Sequence, residues 1–130
     1  MPARIVLAHS DPQFLSDMLC GLRSSGYDVV GFPDSNGALT ALEAAERVEI
    51  LVTRVVFAQG TPHGVALARM ARIRRPGIKI LFIVRPELVS HTEGVGTALL
   101  IPVTADEVVA KVIEMLSETD RDAGAPPTDG

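Results

Sequence analysis

Short apolar runs alternate with amphipathic segments along nearly the whole chain. Five of the runs have the length and composition of strands in a sheet that is covered on both faces. These predicted strands are Arg4–Ala8, Asp28–Phe32, Glu49–Arg54, Ile78–Val84 and Ala98–Ile101. Apolar residues at helical spacing predict four helices between and after them. These helices begin near Pro12, Ser35, Gly64 and Thr104.

Strands that alternate with helices indicate a parallel sheet with right-handed crossover connections. One stretch, Arg85–Thr97, interrupts the alternation, since it contains a proline and two glycines and is short for a helix with two loops. We therefore expect the fourth helix of the fold to be short or absent. Its loss would expose apolar residues such as Leu88 and Val95 to a partner. The alternative is that the loop simply folds over the gap.

The length of 130 residues predicts one domain with a core of its own. We place this domain at residues 3–118. From Thr119 onward the composition changes to Asp, Gly, Ala and Pro. That composition is typical of disorder, so residues 119–130 are expected to form a disordered tail or the stub of a linker.

Composition excludes several classes of function. A net charge of −4, with 4% aromatic residues and no Trp, argues against a nucleic-acid partner. No apolar run approaches the roughly 20 residues of a membrane-spanning helix, and the N-terminus lacks a signal-peptide pattern. One cysteine, Cys20, makes neither an internal disulfide nor a cysteine zinc cluster. We expect a cytoplasmic protein with no membrane contact.

Candidate chemistry lies where the predicted strands end. In an open parallel sheet, ligands bind outside the carboxyl ends of the strands. The first strand is followed there by His9, Ser10 and Asp11, the third strand ends on Arg54, and the fourth is followed by Arg85. No base or nucleophile accompanies Arg54, so we assign no catalytic residue and no enzymatic activity. The preferred interpretation of Arg54 is a salt bridge to Asp11.

The order and spacing of these segments resemble the receiver domain of two-component response regulators, over nearly the whole chain. The resemblance is carried by Arg4–Pro12, Ser25–Val29, Ile50–Val56, Pro62–Ala68 and Pro102–Thr104. It implies a flavodoxin-like, doubly wound α/β fold with a five-stranded parallel sheet of order 2-1-3-4-5.

A working receiver, as the resemblance implies, has two acidic residues after strand one that bind Mg²⁺ and an Asp at the end of strand three that accepts a phosphoryl group. The acidic pair falls on His9 and Ser10, with Asp11 directly after them. The phosphoacceptor falls on Arg54, or on Thr53 if the alignment slips by one residue. Neither choice is a carboxylate.

The remaining positions of the resemblance also depart from the family pattern. A Ser or Thr after strand four, which senses the phosphoryl group, falls on Val84, and a conserved Lys of the family falls on Ile101. An Arg guanidinium stays protonated and repels Mg²⁺, and Ile101 removes a positive charge that would hold a phosphoryl oxygen. We therefore interpret the chain as a degenerate receiver, with no metal and no cofactor. The family's Lys–Pro bond is commonly cis, so we expect a cis bond between Ile101 and Pro102.

Three functions stay open at this point. The first is a non-enzymatic adaptor that binds a histidine kinase, a phosphotransfer protein or a regulator, as a monomer or a homodimer. The second is a sensor of a small anion, which Arg54, His9 and Arg85 would bind. The third is a receiver that is phosphorylated on an unusual acceptor, Asp11 or His9.

Overall fold

The computed structural model describes residues 4–44, 47–55 and 64–124, with side-chain surroundings up to residue 117. These residues form five strands and five helices. The strands are β1 (Ile5–Ala8), β2 (Val29–Phe32), β3 (Ile50–Arg54), β4 (Lys79–Val84) and β5 (Thr97–Leu100). The helices are α1 (Pro12–Ser24), α2 (Ser35–Ala44), α3 (Gly64–Arg74), a 3₁₀ helix (Pro86–Thr92) and α4 (Ala105–Gly124).

All strand pairs are parallel, and the strand order is β2-β1-β3-β4-β5. This order confirms the predicted α/β fold and its sheet. The register places Ala8 opposite Thr53 and Arg54 opposite Ile83. The carboxyl ends of the three central strands therefore meet at one edge of the sheet, and β5 continues that edge through a hydrogen bond from the N–H of Ile101 to the carbonyl of Val84.

Two apolar clusters form the core, one on each face of the sheet. The first joins α1 and α4 to strand residues such as Leu7, Val52 and Ile83. The second joins α2 and α3 to strand residues such as Leu51 and Phe82. Because strand side chains alternate between the faces, both faces need apolar residues, which explains why the strands are continuous apolar runs.

The expectation of a short or absent fourth helix is not confirmed. A seven-residue 3₁₀ helix, Pro86–Thr92, connects β4 to β5, so five helices are present in the described part of the chain. The predicted exposure of apolar residues is also wrong, since Val95 is only 8% exposed and Leu88 packs against the second cluster. The connection therefore folds over the sheet, which is the alternative that the sequence left open.

The helix α4 begins with a reciprocal cap. The Thr104 hydroxyl accepts a hydrogen bond from the Glu107 N–H, and the Glu107 carboxylate accepts one from the Thr104 N–H. The helix continues to Gly124, six residues past the boundary predicted at 118, because no glycine or proline precedes Gly124 in that segment. Residues 125–130 of the predicted tail lie outside the described residues. Within the described residues, no helix combines the length and the apolar character needed to cross a membrane.

Candidate functional site

The candidate site lies at the carboxyl edge of the central strands, and β3 brings Arg54 to it. Ile50 and Val52 pack in the cluster with α1 and α4. Because side chains alternate along a strand, Arg54 lies on that same face of the sheet. Its side chain is half-buried, in contrast to the fully buried residues before it. The last residue of β3 therefore presents a guanidinium at the mouth of the crevice.

Arg54 donates a hydrogen bond of 2.6 Å from Nη1 to Oγ of Ser10, the second residue after β1. The Asp11 carboxylate instead caps α1 and accepts hydrogen bonds from the backbone N–H groups of Gln13 and Phe14. The predicted salt bridge between Arg54 and Asp11 is therefore wrong. The Asp11 carboxylate is held by backbone N–H groups in the first turn of α1 that have no partner within the helix. The guanidinium of Arg54 donates to the hydroxyl of Ser10 instead.

Thr53, the other residue on which the phosphoacceptor position could fall, is fully buried. Its hydroxyl donates a hydrogen bond of 2.9 Å to the carbonyl oxygen of Arg54. Thr53 pairs with Ala8 and Phe82 inside the sheet. The side chain that opens onto the crevice at the end of β3 is therefore that of Arg54.

His9 is held neutral by its surroundings. It is only 7% exposed, and its ring stacks on Phe14 with 4.7 Å between the centroids. The ring atom Nδ1 accepts a hydrogen bond of 3.1 Å from the N–H of Asp11. Burial, and next the positive charge of Arg54, lower the pKa of His9 from 6.5 to about 4, while Asp11 acts weakly in the opposite direction. His9 therefore adds no positive charge to the site at neutral pH.

This histidine makes folding stability depend on pH. The folded chain protonates His9 only near pH 4, whereas the unfolded chain does so near 6.5. The stability that this difference contributes is full above the unfolded pKa and is lost as the pH falls toward the folded one. We expect His9 to lower the free energy of unfolding by about 2 kcal/mol between about pH 7 and about pH 5.

Urea unfolding of the native chain and of a His9→Asn variant measures this effect. The Asn side chain keeps an acceptor for the Asp11 N–H but has no group that titrates. Over the same pH interval, the free energy of unfolding of the variant should fall by about 2 kcal/mol less than that of the native chain. Parallel pH profiles of the two chains would show that the pKa of His9 is not lowered by folding.

Arg54 lines two cavities at this edge. One, of about 260 Å³, is lined by His9, Asp11 and Phe14 together with Ile101, Pro102 and Val103. The other, of about 120 Å³, is lined by Arg54, Arg85 and apolar side chains. The structure thus brings Arg54 next to His9 on one side and next to Arg85 on the other, but His9 and Arg85 line different cavities.

Two residues of the site were not assigned to it from the sequence. Phe14 stacks on His9, and Leu88 of the 3₁₀ helix lines the smaller cavity. An aromatic residue in the first turn of α1 was a signal for the first contact, because that turn follows the end of β1 directly. No local signal was available for Leu88, since its position depends on how the segment after β4 folds back.

No protein-family model matches the chain, and no curated protein matches it. Solved structures do. A CheY-like response regulator receiver domain protein from Methanospirillum hungatei JF-1 superposes with a TM-score of 0.79 at 20% identity, over 94% of this chain and 99% of that one. A response regulator receiver protein from Sinorhizobium medicae WSM419 gives 0.76 at 25% identity, over 89% and 95%. The receiver domain of the hybrid histidine kinase CckA gives 0.71 at 23% identity, over 88% and 99%.

The chain has the receiver fold. In this receiver fold the residues at the ends of β4 and β5 are apolar. Val84 is 1% exposed and packs in the second core cluster, so its side chain belongs to the core and offers no hydroxyl to the crevice. Ile101 lines both cavities beside Arg54. The bond between Ile101 and Pro102 is cis, as predicted.

Proposed function

We propose that the chain is a degenerate receiver of two-component signalling that acts by binding a protein partner, without aspartyl phosphorylation and without enzymatic activity. The observation that carries the proposal is the guanidinium of Arg54 at the end of β3, hydrogen-bonded to Ser10 at 2.6 Å. By the resemblance to receivers, this pair of side chains falls on the positions of the phosphoacceptor and of one cation ligand.

Electrostatics argues against phosphorylation at this place. Phosphorylation of a receiver requires Mg²⁺, which prefers carboxylate and other oxygen ligands. An Arg guanidinium, in contrast, stays positively charged at any ordinary pH. The fixed charge of Arg54 therefore raises the free energy of Mg²⁺ at the edge. His9 is neutral and adds no negative charge there, and the Asp11 carboxylate accepts the N–H of Gln13 at the helix cap and makes no ion pair with Arg54 among the described residues.

The alternative acceptors are poorly placed for phosphoryl transfer. Asp11 is exposed, and its carboxylate accepts two backbone hydrogen bonds that a phosphorylated side chain would lose. The Nδ1 atom of His9 accepts the Asp11 N–H, and the ring is buried against Phe14. Both side chains thus have structural roles in joining β1 to α1.

A receiver that is not phosphorylated must act through the proteins that it binds. A histidine kinase, a phosphotransfer protein or a regulator fits this role, and the CckA receiver, which has the same fold, is itself part of a hybrid histidine kinase. The degenerate receiver would be fixed in one conformation or switched by its partner, because a ligand shifts a conformational equilibrium only through different affinities for its states.

Incubation with acetyl phosphate and Mg²⁺, followed by intact-mass analysis, tests this proposal. We expect the mass of the chain to stay unchanged under conditions in which an active receiver, treated in parallel, gains one phosphoryl group. A histidine kinase that binds the chain should likewise transfer no phosphoryl group to it. A covalent phosphoryl adduct on Asp11, His9 or any other residue, detected at neutral pH before it can hydrolyse, would overturn the proposal.

A further inference from the structure

The smaller cavity at the carboxyl edge concentrates positive charge. Arg54, at the end of β3, and Arg85, directly after β4, line it together. The rest of its described lining is apolar and consists of Val55, Ile83, Val84, Leu88 and Ile101. No carboxylate belongs to that described lining. Two arginine residues therefore line one small space, and the other described residues of its lining carry no charge that offsets theirs.

The two arginines carry like charges beside one cavity. Arg54 is half-buried and Arg85 is exposed, and an anion bound between them would offset their mutual repulsion. Guanidinium groups bind oxyanions through charge-assisted, often bidentate hydrogen bonds. One Nη atom of Arg54 is used by Ser10, which fixes the side chain in place and leaves other donors.

The volume of the cavity decides the size of the anion. The cavity volume of about 120 Å³ is several times the roughly 10–15 Å³ that a cavity needs to hold one water molecule. A tetrahedral oxyanion such as phosphate or sulfate fits this space. A nucleotide would extend beyond it, because pockets for ligands of drug size have about 300 Å³ or more.

We propose that Arg54 and Arg85 bind a small oxyanion, such as inorganic phosphate, reversibly and without a covalent bond. This inference deepens the proposed function, since it rests on Arg54 standing in the place of the phosphoacceptor. The degenerate receiver would then hold as a free ligand the group that an active receiver carries as an acyl phosphate. His9 is not part of this site, because it lines the other cavity.

Titration of the ¹⁵N-labelled chain with inorganic phosphate, with chloride replaced to keep ionic strength constant, tests the inference. We expect saturable shifts of the backbone amides of Arg54, Arg85 and Leu88. Charge-assisted hydrogen bonds are worth about 1.5–3 kcal/mol each, which corresponds to roughly tenfold or more in affinity. Arg54→Gln and Arg85→Gln should therefore each weaken binding by at least about tenfold.

Arg72→Gln is the matched control, because Arg72 is an exposed residue of α3 outside the described lining of the cavity and its loss changes the net charge equally. The affinity of the Arg72→Gln variant for phosphate should stay within about twofold of the affinity of the native chain. The absence of saturable shifts, or equal weakening in all three variants, would overturn the inference. Arg85 is exposed, so the Arg85→Gln variant tests the site even if Arg54→Gln does not fold.

This titration is separate from the test for covalent phosphorylation. Desalting should remove the bound phosphate completely and leave the mass of the chain unchanged. A chain that neither binds phosphate nor forms an adduct would refute the anion site and leave the degenerate receiver standing. A chain that keeps phosphate after denaturation would refute both.

Discussion

Replacement of Gly64 by Ala should lower the free energy of unfolding by about 3 kcal/mol or more. A Cβ atom on Gly64 would lie 1.6 Å from the carbonyl oxygen of Arg54, and only 3.0 Å from the Cα of Val55. These are backbone atoms, so no side-chain rotation relieves the overlap. The N–H of Gly64 also donates a hydrogen bond of 2.8 Å to the carbonyl of Val55, which holds the start of α3 against the end of β3.

Gly77→Ala is the matched control for this substitution. A Cβ on Gly77 would meet no atom within 4 Å, so the free energy of unfolding should change by no more than about 0.5 kcal/mol. Urea unfolding of the two variants and of the native chain gives the comparison. Since small domains are stable by only about 5–15 kcal/mol, the Gly64→Ala loss should be visible as a large shift of the midpoint. Equal stability of the two variants would show that the backbone of Gly64 does not pack closely against the backbone of Arg54.

Three aspartates at the edge should create a Mg²⁺ site. The variant combines His9→Asp, Ser10→Asp and Arg54→Asp, so that a cation and two neutral groups become three carboxylates. Ala8 lies opposite Thr53 in the neighbouring strands β1 and β3, so residues 9, 10 and 54 follow adjacent strand ends and the new carboxylates can share one ion. Carboxylates repel one another when the site is empty, and Mg²⁺ relieves that repulsion.

The expected gain in the free energy of unfolding arises because Mg²⁺ binds the folded triple variant and not the unfolded chain. With a dissociation constant of about 1 mM, Mg²⁺ at about 10 mM would raise the free energy of unfolding of the triple variant by about 1.4 kcal/mol. The control is the triple variant with Asn in place of Asp, which has the same size but no charge, and which should gain less than about 0.3 kcal/mol. A Mg²⁺ effect as large in the Asn variant would show that the carboxylates do not form the site.

The fold follows from local patterns and was largely predicted from the sequence. The strands are apolar because both faces of the sheet are covered, and α1 and α4 carry recognisable caps at Asp11 and Thr104. Boundaries of the strands moved by one residue, as at β5, which starts at Thr97. The segment after β4 was predicted less well. Its Pro86 begins a 3₁₀ helix there, and Gly94, with a φ of 77°, turns the chain back toward β5.

The site was predicted only in part, because the sequence gives the residues at strand ends but not their contacts. Arg54 binds Ser10, and the two are 44 residues apart in sequence. Arg54 and Arg85 line the same cavity, and this placement depends on the register of β3 and β4. The low pKa of His9 depends on a stacked Phe14 and on burial. Contacts of this kind arise from tertiary packing and have no local signature in the sequence.

A Mg²⁺ titration of the native chain, followed by backbone amide shifts, tests the central claim most directly. That claim is that the guanidinium of Arg54 occupies the place of the reactive carboxylate and keeps the cation away. The account predicts no saturable shift of the amides of His9, Ser10, Asp11 or Arg54 up to about 10 mM Mg²⁺, while the triple Asp variant shows such shifts. Saturable binding of Mg²⁺ at these residues of the native chain would contradict the account.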